Sequence, residues 1–456
     1  MAGLNDIMNS ARSALIAQQL ALEVTSNNVA NANTQGYSRQ RVDFEESPSV
    51  PTNYGLLGTG VTADNIGGLR DSMIDQQFWG ASDSNGMATT QQTILSQVEA
   101  AVNEPSDNGL SETMNSFFSA FQSLSAQPDQ SAARNNVIQQ GQLLAQSFHS
   151  IQSSIAQTQS NIVSDVQSQL ANINQLTSDI SNLDVKIANA TSQGMQASDL
   201  VDQRDLKIDT LSGLVKVNVS DEGDGSVMIS VGGALVASKS GAVALTSTTT
   251  GNQMQIFAGS STQPTQITSG ELGGDLQSFN TTIPGYLSSL NATANALITQ
   301  VNTLHAAGYG IDTPPSTGVN FFTGTSASDI NVNPDVVNDP NKVAASSDGT
   351  AGDNQAALAM ANLQNQPVMN GGTQTIPQYY ASFVSSVGSA IDAAQNTSSN
   401  QQLVINQLQT QRSSVSGVSI DEEMTNLTQF QNAYQAASEV VNVVDELMQT
   451  LITMVQ

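Results

Sequence analysis

Ile420-Asp421-Glu422-Glu423-Met424-Thr425-Asn426-Leu427-Thr428-Gln429-Phe430 opens the stretch that decides the fold, and its pattern continues through Tyr434, Ala437, Val441, Val444, Met448, Leu451 and Val455. Apolar residues recur at steps of three and four, the repeat of an amphipathic helix with one narrow sticky face. Over the 36 residues of 420–455, that helix is a rod of about 54 Å. Ser416-Gly417 breaks the chain before it, and Ser419 with Glu422 has the spacing of a capping box. Its charges, Asp421, Glu422, Glu423, Glu439, Asp445 and Glu446, are all acidic. No lysine of its own lies across the seam.

The other end mirrors this. Leu4, Met8, Ala11, Leu15, Gln18, Leu22, Thr25 and Val29 alternate steps of four and three, again a helix with one stripe. It stops in Asn27-Asn28-Val29-Ala30-Asn31-Ala32-Asn33-Thr34-Gln35-Gly36, since Asn and Gly tolerate the left-handed backbone that ends helices. Extended chain is expected over 37–44, then a Pro/Gly-containing loop through Gly60. Two amphipathic helices at opposite ends invite pairing as a coiled coil, giving a terminal domain of 1–40 with 416–456. The apolar surface that such helices bury against each other falls short of the entropy lost in ordering them. The expectation is that they stay disordered in a free monomer and fold when copies assemble.

Between the ends, Ile94, Val98 and Ala101 mark one helix and Met114, Phe117, Phe118, Phe121 and Leu124 another. A longer one spans 131–190, with Ile162, Val166, Leu170, Ile173, Leu176, Ile180, Leu183 and Ile187 on its seam, and a shorter one spans 200–214. The period changes at Val215, Val217 and Val219, where alternation and Asp224-Gly225 read as a hairpin into Val227, Ile229 and Val231. The pattern predicts a mainly α fold with a β-rich insert at 215–282. A helical domain takes 41–214, 283–305 and 357–415, and an irregular Gly/Pro/Asn-rich segment covers 306–356.

Composition excludes several functions. The 456 residues carry 39 acidic and 12 basic side chains, a formal charge of −27. That excludes a phosphate-tracking nucleic-acid binder, which needs clustered Lys and Arg, and an anionic membrane repels such a chain. No stretch has the run of apolar residues that a spanning helix needs, and the first residues lack the features of a cleaved secretory signal. There are no cysteines. His149 and His305 are far apart and read as packing residues. Asp221-Glu222-Gly223-Asp224-Gly225 lacks the spacing of a calcium loop and reads as a hairpin tip. Glu271-Leu272-Gly273-Gly274-Asp275 reads as a turn feeding a helix rather than a phosphate cradle. No catalytic residue, metal ligand or cofactor can be nominated.

The block Asn28-Val29-Ala30-Asn31-Ala32-Asn33-Thr34-Gln35-Gly36-Tyr37-Ser38-Arg39-Gln40 resembles the N-terminal signature of bacterial flagellar rod, hook and hook-associated proteins. Tyr37-Ser38-Arg39-Gln40 is similar to the FlgK family among them. So are the segment Ser416-Gly417-Val418-Ser419-Ile420-Asp421-Glu422-Glu423-Met424, Tyr434-Gln435-Ala436-Ala437 and Val444-Asp445-Glu446-Leu447, and inside the chain Asp199-Leu200-Val201-Asp202-Gln203-Arg204-Asp205 and Gly270-Glu271-Leu272-Gly273-Gly274. The resemblance implies a structural, non-enzymatic role at the hook–filament junction, in contact with copies of itself, the hook protein and the next hook-associated protein. It implies export without a cleaved signal through the flagellar type III apparatus. It also implies a cytoplasmic export chaperone of the FlgN type on the last helix. The chain departs from the family in being shorter, with one outer β domain. Two readings compete with this one: another axial subunit of distal rod or hook type, and a secreted enzyme with its site in 215–356.

Overall fold

The computed structural model describes residues 3–52, 55–106 and 109–455, without the side chains of Thr52 and Val455. The first helix, α1 (Leu4–Asn31), stops before Gly36. This glycine takes φ +81° beside Leu206, a left-handed turn open to few other residues. Strand β1 (Gln40–Glu46) then pairs antiparallel with β4 (Val61–Gly68), with a register shift at Asp43/Phe44. The segment expected as a loop through Gly60 holds a second small antiparallel pair, β2 (Val50–Thr52) with β3 (Gly55–Leu57). Its residues alternate too briefly to be read as strands.

The body follows. Helix α2 (Ser72–Val102) begins well before its expected first turn, capped by the Asp71 carboxylate, which accepts from the amides of Met73 and Ile74. Its first half buries Ala81, Ser82, Gly86 and Ala88. These small residues give no apolar stripe in the sequence but allow close approach to other helices. Helices α3 (Leu110–Ala126), α4 (Ser131–Ser192) and α5 (Ser198–Leu214) match their periodicity. The α4 seam buries Ile162, Val166, Leu170, Ile173, Ile180, Leu183 and Ile187, with Leu176 half-buried.

Along the far half of α4 lie β5 (Val217–Asp221), β6 (Val227–Val231), β7 (Ala234–Ser238) and β8 (Gly241–Ala242), a four-stranded antiparallel sheet in that order. Next to it β9 (Leu245–Thr250) pairs with β10 (Gln253–Ala258). The strands thus end at Ala258, short of the expected 282. The Gly270–Asp275 block, expected as a turn, is itself helical: α6 (Gly270–Gln277) passes through one π turn at Ser278–Thr282 into α7 (Ile283–Ala307). Pro284 has no N–H to donate back into that turn, which is where the α-helical ladder slips.

Residues 308–354 are irregular, apart from the pair β11 (Phe322–Thr323) with β12 (Asn331–Val332), the short helix α8 (Pro334–Asn338) and a 3₁₀ turn at Pro340–Lys342. The segment is nonetheless fastened to the body. His305 Nδ1 lies 2.7 Å from the Val319 carbonyl and its Nε2 accepts from the Ala344 amide at 3.0 Å, and burial pushes its pKa down to about 4. Phe321 and Phe322 join Phe117 and Phe121 in a ring cluster. His149 is half-buried on α4. Helix α9 (Gln355–Asn362) leads to α10 (Ile376–Ser416), which starts in a Thr375/Gln378 capping box and lies along α2.

Helix α11 (Ile420–Val455) returns to α1. Asn28 meets Glu423, whereas Phe430 packs against the cluster of Ala21, Val24 and Val42. As α1 runs backward α11 runs forward, so the two are antiparallel. One hydrophobic core joins α2 through α10, the β sheet and the irregular segment. A separate small one holds Ala21, Val24 and Val42 with Phe430 against them.

Candidate assembly site

Asn28 and Arg39 fix where the terminal helices meet. Asn28, 1% exposed, makes four hydrogen bonds. Its Nδ2 donates to the Gln40 carbonyl at 2.9 Å and to Glu423 Oε2 at 3.0 Å, and its Oδ1 accepts from the Gln40 amide and the Tyr37 hydroxyl, both at 2.9 Å. Both donors and both lone pairs of the amide are used. Arg39 completes the clamp. Its Nη1 donates to Glu422 at 2.9 Å, its Nε lies 2.7 Å from Glu423 Oε1, and its backbone N–H donates to the Ser416 carbonyl at 2.8 Å. Glu422, expected to fold back on Ser419, reaches Arg39 instead. The acidic start of α11 therefore does have a cation, supplied from the N-terminal segment.

The clamp sits on α5. Positions 199, 202, 205 and 209 are three or four residues apart and share one helix face, and each carries an aspartate. Asp199 accepts from Gln40 Nε2 at 2.8 Å, and Asp202 from the Ser38 amide at 2.8 Å. Asp205 accepts from Arg70 at 2.5 Å and Arg204 at 2.9 Å. Asp209 takes both Arg412 Nη1 at 2.6 Å and Nη2 at 3.0 Å, together with the Trp79 indole N–H at 2.6 Å. The Arg412 guanidinium also lies over the Phe78 ring at 4.2 Å and beside Asp75 at 2.6 Å. Arg204 reaches on to Asp184 and the Gly225 carbonyl, at the foot of the sheet. Burial raises the pKa of Asp75 and Asp202, and lifts Asp184 to about 6 against the pull of Arg204. Tyr37 is pushed up to about 12, by burial first and then by Asp199, Asp202 and Glu423.

The expected seam residues distribute along the pair as follows. Ala11 and Val444 are buried. Leu4, Met8, Leu15, Leu22 and Val29 on α1 are half-buried, as are Leu427, Phe430, Ala437, Val441 and Met448 on α11. Ile420, Met424, Tyr434 and Leu451 are exposed, and Val455 has its side chain outside the described residues. In the Asn-rich block Ser38 is buried with Asn28; Asn31, Tyr37 and Arg39 are half-buried; Ala30, Asn33, Thr34 and Gly36 are exposed. The periodicity did not disclose a second buried face of α1, Ala17, Ala21, Val24 and Asn28, which meets β1 and β4 as well as α11. A further stripe on α11, Val440, Val443, Leu447 and Leu451, faces solvent at 43–50% exposure. Among the described residues no group of His, Asp or Glu is placed to hold a metal ion. The hairpin-tip carboxylates Glu222 and Asp224 turn to Lys239. No described helix is long and apolar enough to cross a membrane.

Over 98% of its length the chain is 32% identical to flagellar hook-associated protein 1 of Bacillus subtilis, 97% of which it covers. The chain belongs to the FlgK family of flagellar hook-associated proteins. The family model for the flagellar hook-associated protein FlgK helical domain matches residues 95–322. The ends match models shared with other axial proteins: flagella basal body rod protein at 8–37 and the rod FlgEFG C-terminal model at 409–454. The Escherichia coli K12 flagellar hook-associated protein 1 is 26% identical over 98% of this chain and 100% of its own. Among solved structures, the flagellar hook junction protein FlgK of Burkholderia pseudomallei shares the fold. It aligns with a TM-score of 0.63 and 16% identity, over 75% of this chain and 100% of that one.

Proposed function

We infer that this chain is a structural subunit of the bacterial flagellum, placed at the hook–filament junction. The observation that carries the reading is the 32% identity to a hook-associated protein 1 along nearly the whole of both chains. The family's characterised relatives are flagellar structural proteins, and no step of chemistry is assigned here. In this reading α1 and α11 form a coiled coil through Leu4, Met8, Ala11, Leu15, Leu22, Val29 and the 420–455 seam, lining the inner tube, with the helical body outside it and the β unit outermost. The stripe of apolar side chains left exposed on α11 supports it, because a helix partnered only within its own chain has no use for a second apolar face. The neighbours are further copies, the hook protein and the next hook-associated protein. Before export, without a cleaved signal, a FlgN-type chaperone covers α11. The same logic keeps the terminal pair unfolded until neighbouring subunits supply the missing burial.

Val441→Asp or Leu451→Asp tests this. Each is expected to abolish filament attachment in motile cells while the purified chain keeps its helical circular dichroism. Normal filaments on cells carrying either variant would remove the seam from the assembly.

A further inference from the structure

The sequence holds three Asn-Gly pairs, Asn85-Gly86, Asn108-Gly109 and Asn370-Gly371; Asn108 lies outside the described residues. In such a pair the glycine's backbone nitrogen can attack the asparagine's side-chain amide carbon, since no Cβ obstructs the approach. We propose that Asn370 is a self-modification site, which converts through a cyclic imide to aspartate and isoaspartate, and that the fold holds Asn85 inert.

Asn370 meets each need of that attack. It is exposed in the turn between α9 and α10, and it takes φ +48°, followed by Gly371 at +69° and Gly372 at +84°. The Met369 carbonyl accepts from the amides of Gly372 and Thr373, both at 3.0 Å, and from that of Gln374 at 3.3 Å. The Gly371 amide donates to nothing among the described residues, so the nucleophile is free. A Cβ built on Gly371 would have no atom within 4 Å, so the rotation that brings its nitrogen to Cγ meets open space. The Asn370 side-chain amide is held only by Gln374 Oε1, an exposed contact that water replaces readily.

Asn85 has the same neighbour and none of that freedom. It lies in the middle of α2, where the Gly86 nitrogen belongs to the helical ladder. A Cβ on Gly86 would run into the Gly213 carbonyl, so the attacking residue is packed in. Asn85 Oδ1 accepts from Ser398 Oγ on α10 at 2.9 Å, which turns the side chain away from its own backbone. At Asn370 the bond from the Gly371 nitrogen to Cγ forms as the Cγ–Nδ2 bond breaks, and the Gly371 proton leaves with Nδ2 as ammonia. Water then opens the imide. At the side-chain carbonyl it leaves aspartate; at the main-chain carbonyl it leaves isoaspartate, whose backbone runs through the side chain.

The test ages the full chain in mildly alkaline buffer made with heavy-oxygen water and reads its peptides by mass spectrometry. Loss of the amide with gain of the heavy label is expected at Asn370 about a hundredfold or more faster than at Asn85, which must wait for α2 to open. Both products are expected, and isoaspartate is the one that direct hydrolysis of the side chain never makes. Equal rates at the two sites, or aspartate without isoaspartate, overturn the proposal. In urea the two sites are expected to convert at similar rates. A gap that survives unfolding belongs to the local sequence rather than to the fold, and overturns the assignment. So does an Asn370 that keeps its amide in the folded chain over the time in which it converts in urea.

Discussion

The body and the terminal pair of this chain are stabilised in opposite ways. The body has one continuous apolar core, from Phe78 through Leu408, closed by the Phe117, Phe121, Phe321 and Phe322 rings. The terminal pair has a cluster of three buried apolar residues, Ala21 and Val24 with Val42 of β1, and its register is set by polar atoms: the four bonds of Asn28 and the Arg39 clamp on Glu422 and Glu423. Apolar burial is non-directional and supplies stability, whereas hydrogen bonds to buried groups specify geometry at little net gain. The body carries the means of folding by itself. The pair carries instructions for where to fold, with the apolar stripe Val440, Val443, Leu447 and Leu451 left exposed.

Limited proteolysis of the dilute monomer puts the largest expected difference on this contrast. Residues 1–40 and 415–456 are expected to be trimmed rapidly, leaving a resistant core identified by mass spectrometry; ends that survive as long as the body would erase the distinction. Arg412→Ala strikes the body where it is polar. Removing the guanidinium leaves Asp75 with Arg70 and Asp209 with the Trp79 N–H, at a cost of about 3 kcal/mol in urea unfolding of the full chain, the low end of the range for breaking a buried pair from one side. A midpoint unchanged from wild type would mean that water replaces the arginine there. Asn28→Ala is the mildest and the most local. It is expected to cost about 1–3 kcal/mol of protection in amide exchange at the α1–β1–α11 contact of the assembled chain, where the pair is folded, with the thermal midpoint of the free monomer's body unmoved. A lowered body midpoint would show that the two regions fold as one unit.

The long helices were legible because their apolar residues face one neighbour each and therefore repeat at 3.6. The α4 seam and the α11 stripe are of this kind, and so is the β5–β6 hairpin, marked by Asp224-Gly225. Where an element packs on two sides, the pattern blurs. The start of α2, lined with Ala, Ser and Gly, left no stripe, and the Ala17, Ala21, Val24 face of α1 was hidden behind the larger Leu15 and Leu22. The α5 aspartates stood in plain view at helical spacing, but their partners Arg70 and Arg412 are brought to them only by the tertiary fold. The Arg39 clamp joins residues 383 positions apart, a pairing that no local rule contains.

Helix α4 has a mechanical consequence. Its 62 residues make one strut of about 93 Å, with the ring cluster and the His305 staple near one end and the β sheet along the other. No proline interrupts it, so it offers no ready place to bend. A sideways load on the sheet is delivered as torque to the aromatic end of the body rather than absorbed at a joint. Compliance must then come from the contacts between subunits, and each subunit turns in a bending structure as a stiff vane.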